Sequence, residues 1–193
     1  MPGLNIPDPF SDGVVALRRW EQNDIASLVE LVADPEVPRW TGIPSPYTRR
    51  DAKGFLRTTA RAEAMSIGTD LCVYDAGGGE IFGGAGLKLH VIHATAEVGY
   101  WVARNARRRG IASRAVHLMA GWAFGELGVR RLELLTHPGN RASEAVALRC
   151  GFEREGVLRS YREIKGRRVD LTMFSLLPED ARAAVRGPGN RSQ

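Results

Sequence analysis

The span from Ala96 to Thr136 constrains the fold more than any other part of this chain. It opens with AEVGYWVA, a strand candidate, and runs through the arginine-rich turn RNARRRG. Ile111, Ala115, Leu118 and Trp122 then recur at helical spacing and mark one buried helix face. LELLT, from Leu132 to Thr136, follows as a short apolar run, the pattern expected of a strand covered on both faces. Two strands joined through a helix read as a parallel pair in one sheet.

The flanking segments fill out an α/β chain of the α+β type with a mixed, mostly antiparallel sheet and helices on both faces. VVALRR (Val14 to Arg19) reads as a first strand. Ile25, Leu28, Val29 and Val32 mark a helix that Asn23 or Asp24 is placed to cap, and the two prolines of DPEVPRW break it. Thr48 and Asp51 in TRRD form a short relative of the capping box, so a second helix is expected from there to about Ala64. DLCVYD and EIFGGAGLKLH flank a glycine hairpin. Asn140 opens a last helix with Gly151 as its cap, and FEREGVLRS and RVDLTMFSL read as two final strands joined through KGRR. The 193 residues suit one domain, placed at 13–178 between a loose lead-in, 1–12, and a frayed tail, 179–193.

The turn asks what its arginines serve. Lys and Arg outnumber Asp and Glu by 27 to 22, a balance that permits an acidic partner without requiring one. Gly110 falls where a strand has ended and a helix begins. The first N–H groups of a helix have no internal partners, and the helix dipole makes that end slightly positive. A phosphate or pyrophosphate fits there, with glycine and the small Ala112 leaving room for it to approach. Arg107, Arg108 and Arg109 would add charge at the rim. A nucleic-acid surface is the rival reading, but such surfaces pair basic residues with stacking aromatics or spread them along one helix, and this turn does neither. A solvated turn that binds nothing is the third.

The spacing Arg107-x-x-Gly110-x-Ala112 resembles the acyl-CoA motif of the GNAT superfamily of N-acyltransferases. LRRWEQNDIASLVELVADPEV, AEVGYWVA, NRASEAVALRCGF and VDLTMFSLL extend the likeness over roughly residues 14–177, to the branch of ribosomal-protein N-terminal acetyltransferases that includes RimJ and RimL. The resemblance implies a single GNAT-like domain whose fourth strand bulges and splays from the next to admit the cofactor arm. It implies acetyl-CoA as acyl donor, direct attack by a primary amine in a ternary complex, and a protein or peptide N-terminus as acceptor. A small amine or antibiotic, or a larger donor such as succinyl-CoA, fits the same superfamily. A CoA-binding domain without chemistry is a further alternative.

Several residues carry the expected chemistry. Glu97 is a candidate general base, since half-burial would raise its pKa toward neutrality, and the branch places a proposed base there; strand alternation alone also produces such a glutamate. Asn140 and Ser143 share a face at a helix start, which suits an N-cap. The resemblance adds a contact from Asn140 to pantetheine and places Ser143 near the thioester sulfur as a proton donor, with Tyr161 as the alternative donor. It also implies that the backbone N–H of Val102 polarises the acyl carbonyl, and that the N–H groups from Arg107 through Gly110, Ile111 and Ala112 hold the pyrophosphate. Trp40 and Tyr47 lie where the superfamily builds its acceptor site, although core packing explains such aromatics equally well.

Other chemistry is not expected. His90 and His93 in HVIH lack a carboxylate or cysteine at ligand spacing, so no metal is expected. Cys72 and Cys150 form no CxxC pair and read as small core side chains in a reduced, cytoplasmic protein. No apolar run is long enough to span a bilayer, so no membrane partner is expected. Monomer and homodimer both remain open.

Overall fold

The structure, a computed structural model, describes residues 4–8 and 10–181. Seven strands form one sheet in the order β1-β2-β3-β4-β5-β7-β6. They are β1 (Val15–Arg19), β2 (Gly68–Asp75), β3 (Ile81–His90), β4 (Thr95–Val102), β5 (Arg131–Thr136), β6 (Glu153–Ile164) and β7 (Arg167–Leu176). Every neighbouring pair is antiparallel except β4 and β5, which run parallel. The helices are α1 (Ile25–Val32), α2 (Glu36–Trp40), α3 (Arg49–Ala64), α4 (Ile111–Gly125) and α5 (Arg141–Arg149).

Two cores lie on opposite faces of the sheet. One packs α4 and α5 against β3, β4 and β5, with Val98, Ile111, Met119, Leu132, Leu134 and Phe174 buried together. The other packs α1 and α3 on Trp20, Cys72 and Trp101. Phe10 from the lead-in is buried edge-to-face on Trp122, with ring centroids 5.6 Å apart. The expected tail falls outside the described residues from position 182 onward.

Local signals account for most boundaries. Thr48 caps α3 through the anticipated box: its Oγ1 accepts from the Asp51 N–H at 3.3 Å, and its own N–H donates to Asp51 Oδ2 at 2.8 Å. Asp24 does not cap α1 with its side chain. It accepts the Glu21 N–H at 2.8 Å and a guanidinium fork from Arg18 at 2.6 and 2.9 Å.

Three further expectations change. DPEVPRW ends α1 at Val32 as expected but then forms a helix of its own, α2, with Pro35 preceding its first residue and Pro38 in its first turn, where the missing N–H removes no helical bond. The β5 run is buried on alternate residues, Leu132, Leu134 and Thr136, because its other face carries Arg131 and Glu133, whose ion pair at 2.8 Å takes the place of an apolar covering layer. β4 keeps an unbroken register with β3 from Thr95 opposite His90 to Val102 opposite Gly83, so it splays from β5 without a bulge toward β3.

Candidate functional site

The parallel β4–β5 ladder lasts for three residue pairs, Thr95 with Arg131, Ala96 with Leu132 and Glu97 with Glu133. Beyond Glu97 the strands part, and a cleft of about 1430 Å³ passes through the opening and reaches both faces of the sheet. The Ala103 N–H donates across to Phe82 O on β3 at 2.8 Å. Strand alternation therefore turns the Val102 N–H the other way, into the opening. The Val102 carbonyl is already engaged there by Arg107 Nε at 3.1 Å.

The start of α4 forms one end of this cleft. Gly110 has φ +77° and the first helical bond runs from the Arg114 N–H to Gly110 O at 3.1 Å. The N–H groups of Ile111, Ala112 and Ser113 therefore have no partner inside the helix. A Cβ built on Gly110 would meet nothing within 4 Å, so the space before these donors is empty of protein. Left-handed Arg108 (φ +64°) and Gly110 curl the turn around this space, giving a concave row of backbone donors. These features fit a pyrophosphate.

The arginines divide the work differently from the expected common rim. Arg107 and Arg108 both line the cleft. Arg107 Nη2 is held by Asp34 at 2.5 Å, tying the turn to the residues after α1. Arg109 is drawn off the cleft and lies over the Phe82 ring at 4.7 Å.

On the α4–α5 face, Asn140 Oδ1 accepts the Ser143 N–H at 3.2 Å, which makes Asn140 the cap of α5. The Ser143 hydroxyl pairs with the Tyr100 hydroxyl at 3.1 Å. Burial pushes the Tyr100 phenol up to about 12, so this pair keeps its protons near neutral pH. Tyr161 is a residue of β6, not of a loop after it. It lies beside a register shift, is 45% exposed, and does not line the cleft.

On the opposite face, Glu97 is gripped by a fork from Arg162, Nη1 to Oε1 at 2.9 Å and Nη2 to Oε2 at 2.6 Å. Burial acts to raise the Glu97 pKa, but the Arg162 bonds and charge outweigh it, with Lys88 and His90 adding to the pull. The carboxyl therefore titrates below the usual range, opposite to the direction expected from burial alone. Trp40 and Tyr47 both line this half. Trp40 Nε1 donates to Glu36 Oε2 at 3.1 Å, and the ring sits 6.3 Å from that of His137. Burial pushes the Tyr47 phenol up to about 12.

Four residues of the cleft were not singled out in the sequence: Tyr100, Trp101, Arg162 and Asp70. GGAG in β3 is the local signal for two of them, because glycines inside a strand mark close approaches. A Cβ on Gly84 would lie 2.7 Å from Trp101 Nε1, and one on Gly86 would overlap the Asp70 carboxylate. Trp101 lies flat across that strand and stacks on Trp20, with centroids 6.3 Å apart and planes within 9°.

Among the described residues no cluster of potential ligands could hold a metal ion, and no helix is long and apolar enough to cross a membrane. Cys72 and Cys150 are buried thiols, and that burial pushes their pKa up to about 12 and about 11. Neither is primed as a nucleophile.

Residues 15–153 match the family of acetyltransferase (GNAT) domains. The uncharacterized N-acetyltransferase p20 of Bacillus licheniformis is 29% identical over 168 residues, covering 86% of this chain and 94% of that protein. The fold is shared with Mycobacterium smegmatis RimJ in complex with CoA-disulfide, with TM-score 0.80, 24% identity, and coverage of 92% of this chain and 88% of that one. It is shared also with the ribosomal-protein-S5-alanine acetyltransferase of Vibrio fischeri, with TM-score 0.74, 21% identity, and coverage of 86% and 94%.

Proposed function

The chain belongs to the GNAT acetyltransferase family and is an acetyl-CoA-dependent N-acetyltransferase, and we propose that its acceptor is the N-terminal amine of a protein or peptide. The observation that carries this reading is the continuity of the cleft. It runs from the free N–H groups of α4, through the β4–β5 opening, to Glu97 and the groove walled by Trp40 and Tyr47. One end suits a phosphorylated donor, and the other is open enough for the end of an extended chain. Likeness in fold to RimJ and to the Vibrio fischeri enzyme supports a ribosomal-protein type of acceptor.

Acetyl-CoA supplies an activated acyl thioester. The chain's own groups do the rest. The N–H groups of Ile111, Ala112 and Ser113 bind pyrophosphate, with Arg108 adding charge. Arg107 holds the turn in place through Asp34 and Val102 O. Asn140 fixes the start of α5 beside the pantetheine path. The Val102 N–H donates to the acyl oxygen as charge develops there. Glu97, ionised, takes a proton from the acceptor's ammonium through water. The Tyr100–Ser143 pair returns a proton to the leaving sulfur.

A thiol-release screen tests the acceptor. Acetyl-CoA and succinyl-CoA are offered with peptides beginning in Ala or Ser, with the N-acetylated forms of those peptides, and with small amines. Turnover of the free peptides with acetyl-CoA, at kcat/KM at least about tenfold above the small amines, is the expected result. A small amine outrunning every peptide would replace the proposed acceptor.

A further inference from the structure

Four carboxylates line the cleft: Glu36, Asp51, Asp70 and Glu97. Three are already engaged. Glu36 accepts from Arg39 at 3.0 Å and from Trp40 at 3.1 Å. Asp51 belongs to the Thr48 cap, and Glu97 to the Arg162 fork. Among the described residues Asp70 has no hydrogen-bond or ion-pair partner, although it stands on a central part of the floor.

The register shows why Asp70 faces the cleft. It pairs with Gly86 on β3, and Gly86 pairs with Gly99 on β4. The three form a row across one sheet face, one step along from the row of Gly68, Lys88 and Glu97. The Asp70 carboxylate lies over Gly86, which has no side chain to displace it. A Cβ on Gly99 would meet nothing within 4 Å, so the floor over Gly86 and Gly99 beside Asp70 is bare backbone beneath open space, bordered by Lys88 in the next row. Surrounding protein acts to raise the Asp70 pKa; the Lys88 charge opposes that and the Glu63 charge adds to it. Lys88 helps neutralise the region but forms no ion pair with Asp70.

Asp70 is exposed to solvent in the cleft, and an unpaired carboxylate at the floor of a concave site is free to receive a cation that arrives with donors of its own. A primary amine meets that need, because near neutral pH most of it is ammonium with three N–H donors. Glu97 is a poorer first contact, since Arg162 already compensates its charge. We propose that Asp70 is the carboxylate that binds the acceptor's ammonium, seating it over the Gly86–Gly99 floor before Glu97 removes its proton. This inference rests on the acetyl-transfer reading of the cleft and adds a specificity-determining residue to it.

Two measurements test it, and only the first needs turnover. With the best amine from the screen, Asp70→Asn is expected to raise KM for the amine about tenfold or more while the Kd for acetyl-CoA stays within about twofold. An unchanged amine KM in the folded variant, or an equal loss of acetyl-CoA affinity, overturns the proposal. The second measurement follows the ¹³C signal of the Asp70 carboxylate, assigned by its absence in Asp70→Asn, in the CoA complex of the wild-type protein. Alaninamide, which carries an ammonium, is expected to shift that signal, and N-acetylalaninamide, which does not, to leave it in place. Equal responses to both, or none to either at the solubility limit, overturn the proposal whether or not peptides prove to be the acceptor.

Discussion

At neutral pH the Glu97 carboxylate is ionised and held by two short bonds from Arg162, a residue 65 positions later in the chain. Its pKa lies below the ordinary value of 4.5, so the pair stabilises the fold above that pH and loses its effect as pH falls through the lower folded value. Arg162→Met removes the compensation and leaves the burial, which then lifts the Glu97 pKa above the ordinary value. The variant should be less stable than wild type by about 1–2 kcal/mol near neutrality, a loss moderated by the partial exposure of the arginine. The deficit should shrink as pH falls through the raised value in the variant and vanish only as pH falls through the lowered wild-type value, where Glu97 is protonated in both proteins. Urea denaturation across that range measures it, and a deficit independent of pH would show that Arg162 acts through packing instead. Turnover in the same variant should lose activity on the acid side, where Glu97 is now protonated. Glu97 itself was legible in AEVGYW. The direction of its pKa was not, because local sequence shows a strand residue and its burial pattern but not a cation delivered by β6. Asp70 escaped notice for a related reason: DLCVYD reads as an ordinary strand until Gly86 is seen beneath the carboxylate.

Helices and strands with local punctuation were the most readable elements. Thr48 and Asp51 start α3, Gly110 starts α4 and Asn140 starts α5, each by a signal contained within a few residues. α2 was missed because two prolines normally end a helix, while here they occupy its first turn and the position before it. β5 was read as covered on both faces because three leucines dominate LELLT. Its second face instead carries Arg131 and Glu133, joined by an ion pair, beside Leu135. Gly110 has the clearest consequence at this scale. Any side chain there is strained by the positive φ, and a large one fills the space in front of the α4 donors. Gly110→Trp should abolish acetyl-CoA binding by calorimetry while keeping the wild-type circular dichroism spectrum. Undiminished affinity in that folded variant would place the pyrophosphate elsewhere.

Across the whole molecule, the arginine turn is spent largely on internal work, with Arg107 on Asp34 and Arg109 on Phe82. The basic balance of the sequence thus says less about partners than the glycine and the helix start within it. The parallel pairing of β4 and β5 was legible from the strand–helix–strand pattern. The length of that pair was not, since sequence marks where strands lie but not how far two of them stay together. That length shapes how the molecule moves. Three rungs sew β1–β4 to the β5, β7 and β6 half, and the backbone of β4 from Gly99 to Val102 faces the opening without a strand beside it. Solvent hydrogen should therefore replace the Tyr100 and Val102 amide protons quickly in the free protein, while Ala96 and Val98 in the same strand exchange slowly. Bound acetyl-CoA should slow the first pair markedly and the second hardly at all, which amide exchange read by NMR would resolve residue by residue. In that sense the sheet is a seam left partly unsewn, and its last stitches come from the small molecule it consumes.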